Sequence, residues 1–323
     1  MELAREVLKG NPRAIARAIS LVENSAAGAQ ELMKAIFPHR GESVILGITG
    51  APGSGKSTLV DQMIVHLRKK KKNIGIVAVD PSSPFTGGAI LGDRIRMMRH
   101  SVDAGVFIRS MATRGHLGGL AKATGEAIAI FEAAGKNVIL VETVGVGQDE
   151  VEVVKLADIV LVVLTPGAGD DIQIFKAGIM EIGDIFILNK ADSPGAEKIE
   201  RQLKAMLELG LKDKEIPPVV KTVATEGTGV DVLMEEIQKF AAHKDSEFQA
   251  SRRKRLISWM LKDIAREKIY GLLAQNIKDA EFDGFVERIY SRETDPYTVV
   301  EEMIDRLKKR IKGEKAGNEN QKN

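Results

Sequence analysis

Between residues 43 and 223 the chain carries seven short apolar runs: Ser43–Ile48, Ile74–Val79, Val106–Ile108, Val138–Val141, Ile159–Leu164, Asp184–Leu188 and Val219–Val223. Most are separated by segments long enough for a helix. The runs do not alternate polar with apolar, so each strand buries both of its faces. Helix-length connections between such strands give parallel pairing. An α/β fold with a mostly parallel central sheet, covered on both faces, is therefore expected. Crossover handedness puts the C-terminal ends of the strands along one edge. In open sheets that edge takes up ligands. Nearly every chemically suggestive loop in this sequence follows one of these runs.

The flanks read differently. Residues 1–40 place Leu3, Val7, Leu8, Ile15, Ile19, Leu21 and Val22 at helical spacing, and Asn11-Pro12 fits a helix start. This is an N-terminal helical extension of two or three helices, ahead of a main domain at 41–245. From 246 to 312 the strands stop, and 252–275 and 297–312 read as charged amphipathic helices. The polar tail 313–323 is expected to be disordered. No internal repeat is visible.

Composition narrows the class. The 323 residues include 47 basic and 45 acidic side chains, a net charge of +2, which predicts no nucleic-acid partner. No cysteine is present, so disulfides and thiolate metal sites are excluded. No apolar run approaches the ~20 residues that span a bilayer, so no membrane partner is expected. The charged, helical N-terminus lacks the apolar core of a signal peptide. A cytoplasmic location is the simplest reading.

Gly50-Ala51-Pro52-Gly53-Ser54-Gly55-Lys56-Ser57 follows the first run, and Thr58–Lys69 continues as a helix. Strand, glycine-rich loop and helix form the context of a P-loop. The glycines let backbone N–H groups turn onto phosphate oxygens, and the helix N-terminus adds partial positive charge. Lys56 is expected to reach the β- and γ-phosphates, and the Ser57 hydroxyl to ligate Mg²⁺. Asn189-Lys190-Ala191-Asp192 ends the sixth run. The Asp192 carboxylate can accept from guanine N1–H and the 2-amino group, where adenine offers no donor. The Lys190 stem can lie along the base and Asn189 can brace the loop. Val223-Ala224-Thr225 is placed to give guanine O6 a backbone N–H, although many GTPases have Ser-Ala there. GTP, GDP and Mg²⁺ are thus the expected ligands.

Three carboxylates are candidates for the metal: Glu142 at the end of the fourth run, Asp80 at the end of the second, and Asp93 in Gly92-Asp93-Arg94-Ile95-Arg96-Met97. Glu142 stands where common GTPases have Asp. Its longer reach suits metal binding through water, or orienting the attacking water. The Gly145 N–H is placed for the γ-phosphate. No glutamine follows Gly145 directly, as it does in Ras-like GTPases, and Gln148 lies three residues on. Slow intrinsic hydrolysis, completed by a partner, is expected. His116 reads as a loop hydrogen-bonding residue, Lys69–Lys72 as a solvated helix end, Arg252–Arg255 as a solvated face, and Trp259 as packing.

Several strings together resemble one family. They are Asp80-Pro81-Ser82-Ser83, Gly92–Met97, Arg114–Gly119, Glu142-Thr143-Val144-Gly145-Val146-Gly147-Gln148, Pro166-Gly167-Ala168-Gly169-Asp170 and Asn189–Asp192. The resemblance, from about residue 10 to 300, is to the MeaB/ArgK-type GTPases, chaperones of adenosylcobalamin-dependent acyl-CoA mutases. It implies a homodimer joined by a C-terminal helical arm. It also implies GTP hydrolysis coupled to loading, protecting or reactivating a cobalamin enzyme of the methylmalonyl-CoA mutase type. Asp80, Asp93 and Glu142 then fall at Mg²⁺-site positions. Residues 142–150 match a second switch, and 166–178 a third in which Lys176 responds to the partner. Lys56, Glu142, Gln148 and Lys176 are the residues implied in catalysis. Two alternatives are a metallochaperone GTPase, which predicts Cys or His clusters, and a P-loop kinase of a transport system, which predicts no guanine reader.

Overall fold

A computed structural model of the chain describes residues 2–80, 98–100, 102–112, 119–143, 156–167, 182–210, 215–243 and 246–319. Asp93, Gly145, Gln148 and Lys176 of the expected site, and His116, lie outside the described residues. The chain divides into two units, residues 1–256 and 257–323.

The first unit is built on seven strands: β1 (Val44–Gly50), β2 (Ile74–Asp80), β3 (Val106–Ala112), β4 (Val138–Thr143), β5 (Ile159–Leu164), β6 (Ile185–Asn189) and β7 (Val219–Thr222). Their order is β3-β2-β4-β1-β5-β6-β7, and every neighbouring pair is parallel. β4, β5 and β6 are buried at every position, as unbroken apolar runs require. Where the order turns back on itself, β1 lies between β4 and β5. The C-terminal end of β1 is thus the topological switch point of the sheet.

Around the sheet run α1 (Glu2–Leu8), α2 (Pro12–Glu23), α3 (Ala29–Ile36), α4 (Lys56–Lys69), α5 (Gly119–Ala133), α6 (Ala196–Gly210) and α7 (Val230–His243). α2 starts where the sequence places it. Asn11 Oδ1 accepts from the N–H groups of Arg13 (3.0 Å) and Ala14 (3.3 Å), a cap worth about 1 kcal/mol. Pro12 at the first position loses no bond there. Ala14, Ile15, Ala18, Ile19 and Val22 form its buried stripe, and it packs on α5. Arg109 of β3 reaches back to α2, donating to Glu23 and to Ser20 Oγ. Leu59 and Met63 of α4 pack with Leu46, Ile48, Leu161, Ile187 and Leu233 in the core beneath β1.

α8 (Ser246–Asn276) begins in the first unit and runs into the second. Arg253 ties the start of α8 to the sheet by donating to the Ser43 carbonyl at 3.1 Å.

The second unit adds α9 (Asp279–Tyr290) and α10 (Pro296–Glu319). Ile277, Phe285 and Val299 form its small core. Arg288 forks onto Glu302 at 3.0 and 3.1 Å, and Arg306 lies over the Phe285 ring. α10 continues to Glu319.

Candidate functional site

The cradle forms because β1 must reverse into α4 within five residues, and glycines permit it. Gly55 has φ +89°, and a Cβ there would lie 2.3 Å from Asn189 Nδ2. Gly50 has φ +147°, and a Cβ would lie 2.1 Å from the Val163 carbonyl oxygen. Any side chain at either position displaces a neighbour that the site uses. Pro52 and Gly53 are exposed at the tip, Ser54 is buried, and Thr58 is partly exposed in the first turn of α4. A helix N-terminus directly after such a loop is a favourable place for an anion, because it carries partial positive charge.

Lys56 is buried, and its Nζ donates to the carbonyls of Gly50 (2.7 Å) and Ala51 (3.0 Å). The ammonium is folded onto the loop that it would leave to meet phosphate. Ser54 Oγ is buried with no hydrogen-bond partner among the described residues. A phosphate oxygen at the loop mouth is the type of acceptor it lacks.

Two of the predicted metal residues meet. Ser57 Oγ donates to Glu142 Oε1 at 2.6 Å, and both residues are buried. β4 delivers Glu142 by pairing it with Ile48 of β1, and α4 delivers Ser57. Hard oxygens from one hydroxyl and one carboxylate suit Mg²⁺, which takes few protein ligands beside phosphate and water. Asp80 ends β2, paired with Ala112. No group of three His, Asp or Glu side chains with metal-ligand geometry occurs among the described residues.

Asn189 joins the cradle to the base loops. Its Nδ2 donates to the Ser54 carbonyl at 2.8 Å. Its Oδ1 accepts from Thr222 Oγ1 and from the Ala224 N–H, both at 3.1 Å. Lys190 adopts φ +54°, a left-handed conformation that costs a lysine free energy, and it is exposed. The turn is held by Ala191 N–H on the Thr222 carbonyl (3.1 Å) and Ser193 N–H on the Lys190 carbonyl (2.9 Å). Asp192 is exposed. In Val223-Ala224-Thr225 the Ala224 N–H already binds Asn189, and Val223 N–H binds the Thr228 carbonyl at 3.0 Å. Thr225 is exposed.

The chain thus gathers Gly50–Thr58, Glu142, Asn189–Asp192 and Val223–Thr225 at one sheet edge. A separate cavity of about 490 Å³, lined by Gln62, His66, Lys69, Glu226 and Asp231, opens farther along α4. Sequence reading missed Asp61, a buried carboxylate on α4 that holds Arg99 and His100. The sequence shows only an Asp among the apolar buried positions Leu59, Val60, Met63, Ile64 and Leu67 of α4; its partners are 38 and 39 residues away.

A family model described as methylmalonyl-CoA mutase-associated GTPase MeaB matches residues 15–278. A Pyrococcus abyssi protein named as a GTPase is 48% identical over 312 residues, covering 95% of this chain and 96% of that protein. The mouse methylmalonic aciduria type A homolog, named as mitochondrial, is 32% identical over 79% of this chain and 66% of its own length. A crystal structure described as LAO/AO transport system kinase superposes with a TM-score of 0.66 and 26% identity, covering 96% of this chain and 97% of that one.

Proposed function

Because the chain belongs to the family of methylmalonyl-CoA mutase-associated GTPases, we propose that it is a Mg²⁺-dependent GTPase. We further propose that it gates the loading, protection or reactivation of an adenosylcobalamin-dependent acyl-CoA mutase. The observation that carries the nucleotide assignment is the junction at Asn189. It locks Ser54 of the cradle, Thr222 at the end of β7 and Ala224 just beyond it to Asn189, the last residue of β6, three residues before Asp192.

In this reading Lys56 leaves the Gly50 and Ala51 carbonyls and holds the β- and γ-phosphates. Ser57 and Glu142 hold the metal, with Asp80 and Asp93 completing the set. Mg²⁺ supplies charge neutralisation on the phosphates. Asp192 reads guanine, Lys190 covers its face, and the loop at Val223–Thr225 faces O6. Gly145 contacts the γ-phosphate, and Gln148 and Lys176 complete the catalytic arrangement when the mutase docks. Basal turnover is therefore slow and rises with the partner.

Second copies of the chain dock through the C-terminal helices. On α9, Phe282, Val286 and Tyr290 are exposed at helical spacing. On α10, Tyr297, Val300 and Ile304 repeat the pattern. Apolar stripes of this kind mark interfaces. No helix among the described residues is long and apolar enough to cross a membrane.

The kinase name carried by one structural relative favours a second reading, phosphoryl transfer to a transport protein. The two separate on base choice and product. Purified protein is incubated with GTP or ATP, alone and with acyl-CoA mutase holoenzyme. The GTPase reading expects GTP to be favoured by ~100-fold or more and phosphate release to rise with mutase. Equal turnover of ATP and GTP sinks the nucleotide assignment. A rate indifferent to every acyl-CoA mutase sinks the partner assignment.

A further inference from the structure

Ser57, Asp61 and Arg68 lie four and seven residues apart along α4, which puts them on one face of the helix. Each is committed to a different element. Ser57 bonds Glu142 of β4. Asp61, only 8% exposed, takes two neighbours from another part of the chain. Its Oδ1 accepts from Arg99 Nε at 2.7 Å and meets His100 Nε2 at 2.8 Å, and its Oδ2 accepts from Arg99 Nη2. Arg68 forks onto Asp103 at 2.7 and 2.8 Å and also donates to the Lys72 carbonyl. Asp103 Oδ1 in turn accepts from the Gly105 N–H at 2.8 Å, just before β3 begins.

A carboxylate is a costly choice for this buried flank, since an apolar side chain would pack there without desolvating a charge. What the carboxylate supplies is direction. A fork of two N–H donors on one carboxylate fixes distance and angle together. The residues so fixed, Arg99 and His100, are close to where the connection from β2 to β3 rejoins the described fold. Asp93 belongs to that connection and lies six residues before Arg99. Four helical residues rise about 6 Å, so the anchor sits one turn from Ser57 on the helix that the cradle starts.

We propose that Asp61 is a positioning residue for hydrolysis. It touches no substrate. It acts through Arg99 and His100, registering the end of the β2–β3 connection against the helix that carries Lys56 and Ser57. The Arg68–Asp103 fork pins the same stretch of chain about 10 Å farther down α4. It secures the entry to β3 and is too distant to govern the metal side. The proposal rests on the GTPase reading and deepens it.

The test compares Asp61→Asn, Arg99→Gln and Arg68→Gln with the unaltered protein in three measurements: GDP affinity, single-turnover GTP hydrolysis and melting temperature. Small misplacements of reacting groups cost rate far more than ground-state binding, so Asp61→Asn and Arg99→Gln are expected to slow hydrolysis by ~10-fold or more. Their GDP affinity should stay within about twofold. Arg68→Gln should lower the melting temperature without changing the rate. Arg99 is half-exposed, so Arg99→Gln is the variant that folds if Asp61→Asn does not. Unaltered hydrolysis by Arg99→Gln overturns the proposal, as does equal slowing by Arg68→Gln and Arg99→Gln. Absence of any GTP turnover in the unaltered protein instead overturns the GTPase reading, so the two failures are distinguishable.

Discussion

Asn189 Nδ2 donates to the carbonyl of Ser54 at 2.8 Å, across 135 residues of sequence. The same side chain accepts from Thr222 and Ala224, so the phosphate loop and the loop beyond β7 share one buried amide. Asn189→Ala removes all three bonds and strands the Ala224 N–H. Each loss costs about 1 kcal/mol, and a stranded buried donor costs more, so stability should fall by roughly 2–4 kcal/mol. Guanine nucleotide affinity should fall by ~10-fold or more, because both halves of the site loosen together. Urea unfolding and GDP calorimetry measure the two effects. A variant with normal stability and normal affinity refutes the junction.

Lys56 Nζ donates to the Gly50 and Ala51 carbonyls. Binding must exchange those carbonyls for phosphate oxygens, and a charged acceptor gives the stronger bond. Lys56→Ala therefore leaves the protein folded and weakens GTP and GDP binding by ~100-fold or more. Titration of a fluorescent guanine nucleotide reads this directly. Affinity retained within twofold removes Lys56 from the phosphate site.

Asp192 is exposed at the end of a tightly held turn. As the base reader it would accept from guanine N1–H and the 2-amino group, whereas xanthine keeps N1–H but puts a 2-oxo acceptor where the amine stands. Asp192→Asn presents a donor instead, which suits the 2-oxo group of xanthine. GTP turnover should fall by about 100-fold while xanthosine triphosphate turnover rises. An unchanged ratio of the two rates rules Asp192 out as the base reader.

The sheet was legible because its strands are buried on both faces. Runs such as Ile159–Leu164 admit no other reading, and all seven expected strands are present. Strand ends were less legible. β3 extends to Ala112, since Arg109 and Ser110 break the apolar run yet still pair with β2. The position of the Gly50–Ser57 loop between β1 and α4 was legible from motif and strand context, whereas the Ser57–Glu142 hydrogen bond, across 85 residues, was not. α9 was not read as its own helix, because among its large apolar side chains only Phe285 is buried, Ile289 is partly buried, and Phe282, Val286 and Tyr290 are exposed. Asp61 was not read as functional because its partners, Arg99 and His100, lie 38 and 39 residues away. Single-chain periodicity shows which face is buried, but it does not show which distant charge will meet it.

Glu132 gives a pH signature. It is buried on α5, and desolvation raises its pKa above the usual carboxylate value of 4.5, against the opposing pull of Arg40. The folded state therefore holds this proton more tightly than the unfolded state does. Its contribution to stability is fully present below the unfolded value and is lost as pH rises through the raised folded value. Glu132→Gln removes the titration. Unfolding free energies of the two proteins, measured from pH 4 upward, should show the unaltered chain losing ground to the variant as pH rises. Parallel curves would mean that Glu132 titrates normally.

Val286 and Tyr290 are 51% and 82% exposed on α9, one helical turn apart, while Phe285, the residue before Val286, is buried. The small core of the second unit therefore holds Phe285 and neither Val286 nor Tyr290. An apolar side chain left in water at such spacing is most simply explained by a second copy of the chain covering it. Light scattering should give the unaltered protein twice its chain mass of 35.1 kDa. Val286→Glu places a charge in that contact without touching Ile277, Phe285 or Val299. It should shift the mass to that of one chain, with helix content by circular dichroism unchanged. A single-chain mass for the unaltered protein at micromolar concentration, with and without nucleotide, excludes the homodimer. Loss of helix in Val286→Glu would instead mean that the stripe packs within its own unit.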